Sequence, residues 1–189
     1  MIDMKVRPRI TRFLTPMGKA LAAIGVTPTL MTVFGLSITI FGSVMIANGL
    51  LRSGAAVVLL GSALDGLDGS IARATDNETD RGAFLDSAFH RLGQIAAFAG
   101  LALASAGEPL VPLLIVLAIG GAMLVPYMRA RAEAQGFSGK GGLMGRAERI
   151  ILFTGGILLA QVEPMLWVFV VTVWFTAGVR FATTYRAIP

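Results

Sequence analysis

Between Asp65 and His90 the chain gathers ionisable side chains at intervals that a helix would place on shared faces. Asp65 and Asp68 are three apart, Asp86 and His90 four apart, so each pair is expected to project from one side of its own helix. Both pairs fall within apolar segments long enough to cross a bilayer, where an ionised group costs about 3 kcal/mol or more unless it faces protein or water. Carboxylates that converge in such a place repel one another unless cations lie between them. Hard divalent ions with oxygen ligands, Mg²⁺ or Mn²⁺, would neutralise the cluster and would also grip phosphate oxygens. The competing arrangement pairs each aspartate with Arg73, Arg81 or Arg91, but a network of that kind does not require several acids to converge from two antiparallel helices. Gly69, Ala72 and Gly82 leave space for a ligand against the backbone, and Arg73 offers a two-pronged donor to phosphate. The intervening TDNETD reads as a solvated turn and helix start, capped by Thr79 or Asp80, with no chemistry of its own.

The segments that carry these residues must be membrane helices. A chain of 189 residues with 55% hydrophobic and 14% charged content is too apolar for a soluble fold. It contains no cysteine and one histidine, which excludes disulfides, thiolate metal sites and His-rich sites, so metal chemistry must rest mostly on carboxylates. Six apolar runs reach or approach the ~20 residues that a bilayer requires. They cover residues 29–48, 53–73, 82–106, 109–133, 148–162 and 164–186, the fifth being short. Before them, ITRFLTPMGKALAAIG alternates basic and apolar positions like a helix lying along the interface, its regular part opened by Pro16. The fold class expected is therefore an all-α integral membrane protein, with an N-terminal cytoplasmic segment at 1–28 and a six-helix domain at 29–189. The N-terminus lacks the features of a cleaved signal peptide.

Six spans would put both chain ends and the loops after the second and fourth spans on one side. Every lysine and arginine except Arg52 falls there, which places that side in the cytoplasm of a cell (inner) membrane and accounts for the net charge of +5 without nucleic acid. Glycines are frequent in the spans and suit close helix packing; small residues on lipid-facing stretches would allow a homodimer. Tyr127, Trp167, Trp174 and Tyr185 read as packing or interfacial aromatics, and the methionines as apolar filling.

The series Asp65-x2-Asp68-Gly69-x2-Ala72-Arg73-x8-Gly82-x3-Asp86 resembles the signature of the CDP-alcohol phosphotransferases, six-span enzymes of phospholipid synthesis. Seven of its eight specified positions match, and the eighth, a fourth aspartate in the family, is His90. The resemblance implies that an acceptor hydroxyl attacks the β-phosphorus of a CDP-linked donor and CMP leaves. It further implies a pair of divalent ions held by Asp65, Asp68 and Asp86 with His90 in the fourth place. Asp65, Asp68, Gly69, Ala72, Arg73 and Gly82 would line the nucleotide pocket, and the fourth position, next to Asp86, would accept the hydroxyl proton. An imidazole can accept a proton, yet it removes one negative charge and is a softer ligand than Mg²⁺ favours. Three readings stay open: a natural variant with altered metal preference, a change that cripples catalysis, and a paralogue that binds nucleotide without turnover. A histidine used only for packing is the plainer alternative.

Arg129, Arg131, Lys140, Arg146 and Arg149 cluster around the loop between the fourth and fifth runs. Cations converging there suit a phosphorylated acceptor, although cytoplasmic topology alone also places basic residues in such loops. The pattern RARAEA, a glycine-rich turn and then R-x-E-R is similar to the actinobacterial phosphatidylinositol-phosphate synthases. That similarity implies an inositol phosphate acceptor bound by this region and by Arg180, with CDP-diacylglycerol as donor. Glycerol 3-phosphate is the nearest alternative acceptor, because related enzymes carry basic residues in the same loop. A silent CDP-lipid-binding partner and a small transporter with intramembrane acids are the alternatives from other classes; the transporter leaves the Gly-Ala-Arg spacing unexplained. Glu133 and Glu148 are expected to pair with neighbouring arginines at little net energy.

Overall fold

The computed structural model describes residues 14–188, and among them every regular element is an α-helix. The chain divides into two compact units, the first ending at Ala104 and the second running from Ser105. The first unit holds α1 (helical over 14–23), α2 (Pro28–Ala47), α3 (Leu51–Asp65), α4 (Asp68–Ala74) and α5 (Asp80–Ala104). The second holds α6 (Val111–Glu133), α7 (Arg146–Leu158) and α8 (Val162–Ala187).

Helix α2 shows why these elements start and stop where they do. Thr27 has extended backbone, its hydroxyl accepts from the Leu30 N–H at 3.2 Å, and Pro28 fills a position whose missing N–H costs nothing. At the other end Gly49 takes φ +83, and the Gly49 and Leu50 N–H groups return to the Ile46 and Met45 carbonyls at 2.9 and 3.0 Å. The chain thereby reverses, and α2 packs along both α3 and α5. Glycine makes the α2–α3 approach close: a Cβ added at Gly61 would lie 2.8 Å from the Gly35 carbonyl, and one at Gly42 2.8 Å from that of Gly54. Backbones approach here because no side chain separates them. In the second unit α8 is the centre, with α6 and α7 both packed on it.

All six apolar runs form helix, and among the described residues four stretches combine the length and apolarity to cross a membrane: α2, α3 continued through α4 (Leu51–Ala74), α6 and α8. Helices α5 and α7, expected as the remaining two spans, fall short of that measure. Helix α5 has 25 residues, ~37 Å at 1.5 Å per residue, but its first half carries Asp80, Arg81, Asp86, His90 and Arg91. Helix α7 has 13 residues, ~20 Å, against a hydrocarbon core of ~30 Å.

Two further corrections bear on the site. The expected continuous helix over 53–73 is broken by a turn at Gly66 and Leu67, with the Leu67 N–H bonded to the Leu64 carbonyl at 2.9 Å. Asp65 therefore ends one helix and Asp68 begins another. Helix α1 is already helical at Leu14, so Pro16 lies inside it instead of opening it. Leu14, Leu21 and Ala22 pack against Met31, Leu67 and Ile71, and Gly18 lies so close to Ser70 that an added Cβ would come within 2.8 Å of its Cβ. One face of α1 thus covers protein; residues 10–13 of the expected interfacial helix, and the segment before them, lie outside the described residues.

Candidate active site

Three helices of the first unit present the acids. Asp65 is buried at the end of α3, Asp68 opens α4, and Asp86 and His90 lie one turn apart on α5, all three half-buried. The His90 ring lies between two carboxylates: Nδ1 is 2.6 Å from Asp65 Oδ2 and Nε2 is 2.9 Å from Asp86 Oδ1. One donor atom from each of Asp65, Asp86 and His90 falls within 4.8 Å of the others. The acids therefore converge, as their spacing predicted, and the imidazole joins the two that come from different helices. Asp68 stands outside that three-residue group, near enough to Asp86 and Asp65 to feel their charge.

Helix α2 supplies two residues that the sequence did not single out. The buried Thr32 hydroxyl lies 2.9 Å from Asp68 Oδ2 and 3.0 Å from the Pro28 carbonyl, and donates its proton to one or the other. One turn on, a Cβ at Gly35 would lie 2.8 Å from Asp65 Cβ, so glycine is what lets α2 reach the buried acid. A hydroxyl in an otherwise apolar run is the faint signal for Thr32; Gly35 had none, being one of many span glycines.

Arg73 and Arg91 have partners other than the acids. Arg73 donates to Ser70 Oγ at 3.2 Å and lies over Gly69, whose added Cβ would be 3.4 Å from Arg73 Nη1. Arg91 donates to the Ser87 carbonyl on its own helix. Thr79 caps α5, accepting from the Gly82 N–H at 3.1 Å, which agrees with one of the two caps expected.

Two carboxylates and one imidazole within 4.8 Å suit a divalent cation in charge and number of donors. A neutral imidazole has one N–H and one lone pair. With a carboxylate oxygen within 3 Å of each ring nitrogen, one contact is a hydrogen bond and the other calls for a positive centre, either a second proton or a metal ion. The residues present therefore fit a metal, with a nitrogen in the donor set.

The basic residues of the second unit are held differently. Pro126 inside α6 has no N–H for the Ala122 carbonyl one turn earlier, and Arg149 Nη1 donates to that carbonyl at 2.8 Å. Arg180 donates from Nε to the Gly141 carbonyl at 3.0 Å and from Nη1 to the Val125 carbonyl at 2.8 Å, so two of its five N–H donors bind backbone. Thr176, fully buried one turn before it, accepts the Leu143 and Met144 N–H groups at 3.1 and 3.0 Å and donates to the Thr172 carbonyl at 2.8 Å. Gly141 and Gly142, at φ +137 and +85, let the loop fold onto this face; a side chain at Gly142 would collide with Thr176. Gly139 rests on α6, where an added Cβ would lie 2.7 Å from the Arg129 carbonyl oxygen. Arg129 pairs with Glu133 at 2.8 Å, as expected, and both lie near enough to Arg180 to influence its charge. Arg131 and Lys140 are exposed and Arg146 is half-buried. Of the six cations read as an acceptor site, Arg149 and Arg180 hold backbone carbonyls that the spacing did not reveal. Trp174 donates to the Leu117 carbonyl at 3.0 Å and Tyr185 stacks on Phe181, which agrees with packing roles.

Comparison with known proteins matches residues 25–182 to the CDP-alcohol phosphatidyltransferase family. The chain is 33% identical to an archaetidylinositol phosphate synthase of Pyrococcus horikoshii, covering 91% of this chain and 90% of that one. It is 30% identical to a phosphatidylinositol phosphate synthase of Mycolicibacterium smegmatis, covering 99% and 87%. A crystal structure of the Mycobacterium tuberculosis phosphatidylinositol phosphate synthase with CDP-DAG bound superposes with a TM-score of 0.84 at 30% identity, covering 92% of this chain and 94% of that one. The same enzyme in complex with manganese and citrate gives 0.83, covering 91% and 88%.

Proposed function

The chain belongs to the CDP-alcohol phosphatidyltransferase family, and from that premise we propose that it transfers the phosphatidyl group of CDP-diacylglycerol to an inositol phosphate, releasing CMP. The observation that carries this reading is the convergence of Asp65, Asp86 and His90 at the signature spacing, in a chain that resembles phosphatidylinositol phosphate synthases over nearly its whole length. In the reaction the acceptor oxygen bonds to the β-phosphorus, the bond from that phosphorus to the bridging oxygen breaks, and its electron pair leaves with CMP. The hydroxyl proton goes to the Asp86–His90 couple. A Mg²⁺ or Mn²⁺ ion bound by Asp65, Asp86 and His90, with a second near Asp68, would neutralise charge on the diphosphate. Asp65, Asp68, Gly69, Ala72, Arg73 and Gly82 are assigned to the nucleotide; the Arg73 guanidinium above Gly69 supports a phosphate there. Arg129, Arg131, Lys140, Arg146 and Arg180 are assigned to the acceptor phosphate, and Arg149 to holding α7 on α6.

The same reading places the chain in the cytoplasmic membrane. Each unit contributes three spans, α5 and α7 joining the four apolar ones, with the basic ends on the cytoplasmic side. A homodimer within the bilayer belongs to it as well, supported by the small residues along the spans.

A second reading, a member that binds CDP-lipid without turnover, is favoured by His90 standing where the family signature has an acid. One assay separates them. Purified protein in lipid, given CDP-diacylglycerol, Mn²⁺ or Mg²⁺ and either inositol phosphate or glycerol 3-phosphate, is expected to release CMP with inositol phosphate. CMP from the His90→Asp variant alone would favour the silent reading; CMP with glycerol 3-phosphate alone would reassign the acceptor.

A further inference from the structure

We infer that His90 is a direct ligand which turns the acid cluster into a mixed nitrogen–oxygen metal centre selective for Mn²⁺ over Mg²⁺. The inference rests on the metal-site part of the proposed function and deepens it.

The argument starts from the ring itself. His90 reaches the buried Asp65 through Nδ1 and Asp86 through Nε2, at 2.6 and 2.9 Å, so neither nitrogen faces an apolar surface. A neutral packing histidine needs one acceptor for its single N–H; to gain from both carboxylates it would have to hold a second proton, and a metal ion supplies that positive centre in the proton's place. A ligand histidine needs this arrangement: one nitrogen binds the ion, and the other donates its N–H to a carboxylate that fixes the ring and raises its basicity. The contact between Asp86 and His90 is built into α5 by their one-turn spacing, whereas Asp65 arrives from another helix, so the cluster closes only when α3 and α5 are both in place.

Selectivity follows from the donor types. Mg²⁺ favours oxygen ligands in near-ideal octahedral geometry, and dehydrates reluctantly. Imidazole is a softer donor than Mg²⁺ favours, and affinity for mixed nitrogen–oxygen sites rises along the first-row divalent series that begins at Mn²⁺, an ion at home with carboxylates. With two carboxylates in the group instead of three, the charge attraction on which Mg²⁺ binding depends is also weaker. A ring nitrogen that binds the ion cannot take a proton, which leaves the Asp86 carboxylate to receive the proton of the acceptor hydroxyl.

The test reads metal binding and needs no turnover. The full chain, stripped of metal and placed in nanodiscs, is loaded with Mn²⁺ and studied by pulsed electron paramagnetic resonance. Imidazole ¹⁴N coupling to the bound Mn²⁺ is expected in the unaltered protein and absent from His90→Asp. In competition, the Mg²⁺ concentration that displaces half the Mn²⁺ is expected to fall about tenfold or more in His90→Asp, on the scale of changes at ligand-supporting residues. Bound Mn²⁺ without ¹⁴N coupling, no Mn²⁺ binding, or the same Mg²⁺ requirement in both proteins would overturn the inference. The coupling is measured on the unaltered chain, so a variant that misfolds cannot decide the matter. Clear ¹⁴N coupling in a protein that releases no CMP would sink the proposed reaction and leave the metal assignment standing.

Discussion

The two units both carry charge into apolar surroundings, and they stabilise it by opposite means. In the first, carboxylates are met mainly by side chains: His90 bridges Asp65 and Asp86, and Thr32 reaches Asp68, which also accepts the Gly69 N–H at the open start of α4. In the second, guanidiniums are met by backbone: Arg149 binds the Ala122 carbonyl and Arg180 binds those of Val125 and Gly141. The difference has a chemical cause. A carboxylate only accepts hydrogen bonds, and the mid-helix N–H groups that could donate to it are already used by the helix. Arginine only donates, and a helix interrupted by proline or a loop bent through glycines leaves carbonyls to receive it. Acids away from a helix start must be held by other functional side chains, while arginines can serve the fold itself. Substitutions at the acids of the first unit should therefore remove chemistry before stability, and a substitution at Arg149 in the second should do the reverse.

The sharpest way to break that contrast is Asp65→Asn. Losing a buried ligand charge is expected to lower CMP release about 10³-fold, ~4 kcal/mol of barrier, with a melting temperature close to that of the unaltered chain. A collapse of stability instead would make Asp65 a structural acid. Next in size is Arg149→Met, which strands the Ala122 carbonyl and should cost about 2 kcal/mol of stability in a denaturation series. Pro126→Ala should recover most of that loss by restoring the N–H one turn on, and a double-mutant cycle without coupling would refute the pairing.

Thr176→Val sharpens the comparison from within the second unit. It removes the acceptor for two loop N–H groups without changing side-chain volume much, and should raise the KM for inositol phosphate about tenfold while leaving that for CDP-diacylglycerol unchanged. Thr176→Ser should restore it; an equal rise in both constants would show general damage. The smallest effect is expected for Glu133→Gln, where an exposed pair with Arg129 is worth about 0.5 kcal/mol or less in a thermal unfolding measurement.

Much of the candidate site was legible because its signals are local. The one-turn spacing of Asp86 and His90 survives in α5, and Thr79 caps that helix as a threonine before a helix start should. The break at Gly66 and Leu67 was not legible, since Leu64 to Ala74 reads as a continuation of an apolar helix and the buried Leu67 is drawn inward by Met31 and Ile71. Charge in the first half of α5 and the shortness of α7 are visible in the sequence and set these two helices apart from the four longer apolar stretches.

From the sequence alone came the all-helical membrane class, the converging acids and the family resemblance, because hydropathy, helical period and motif spacing are properties of neighbouring residues. Tertiary structure alone decided the partners of the groups that meet across helices. Thr32 meets an acid 36 residues away and Arg149 a carbonyl 27 residues back, contacts set by how adjacent helices align where glycine allows them to approach. No interval along the chain encodes that alignment; it emerges when the helices pack.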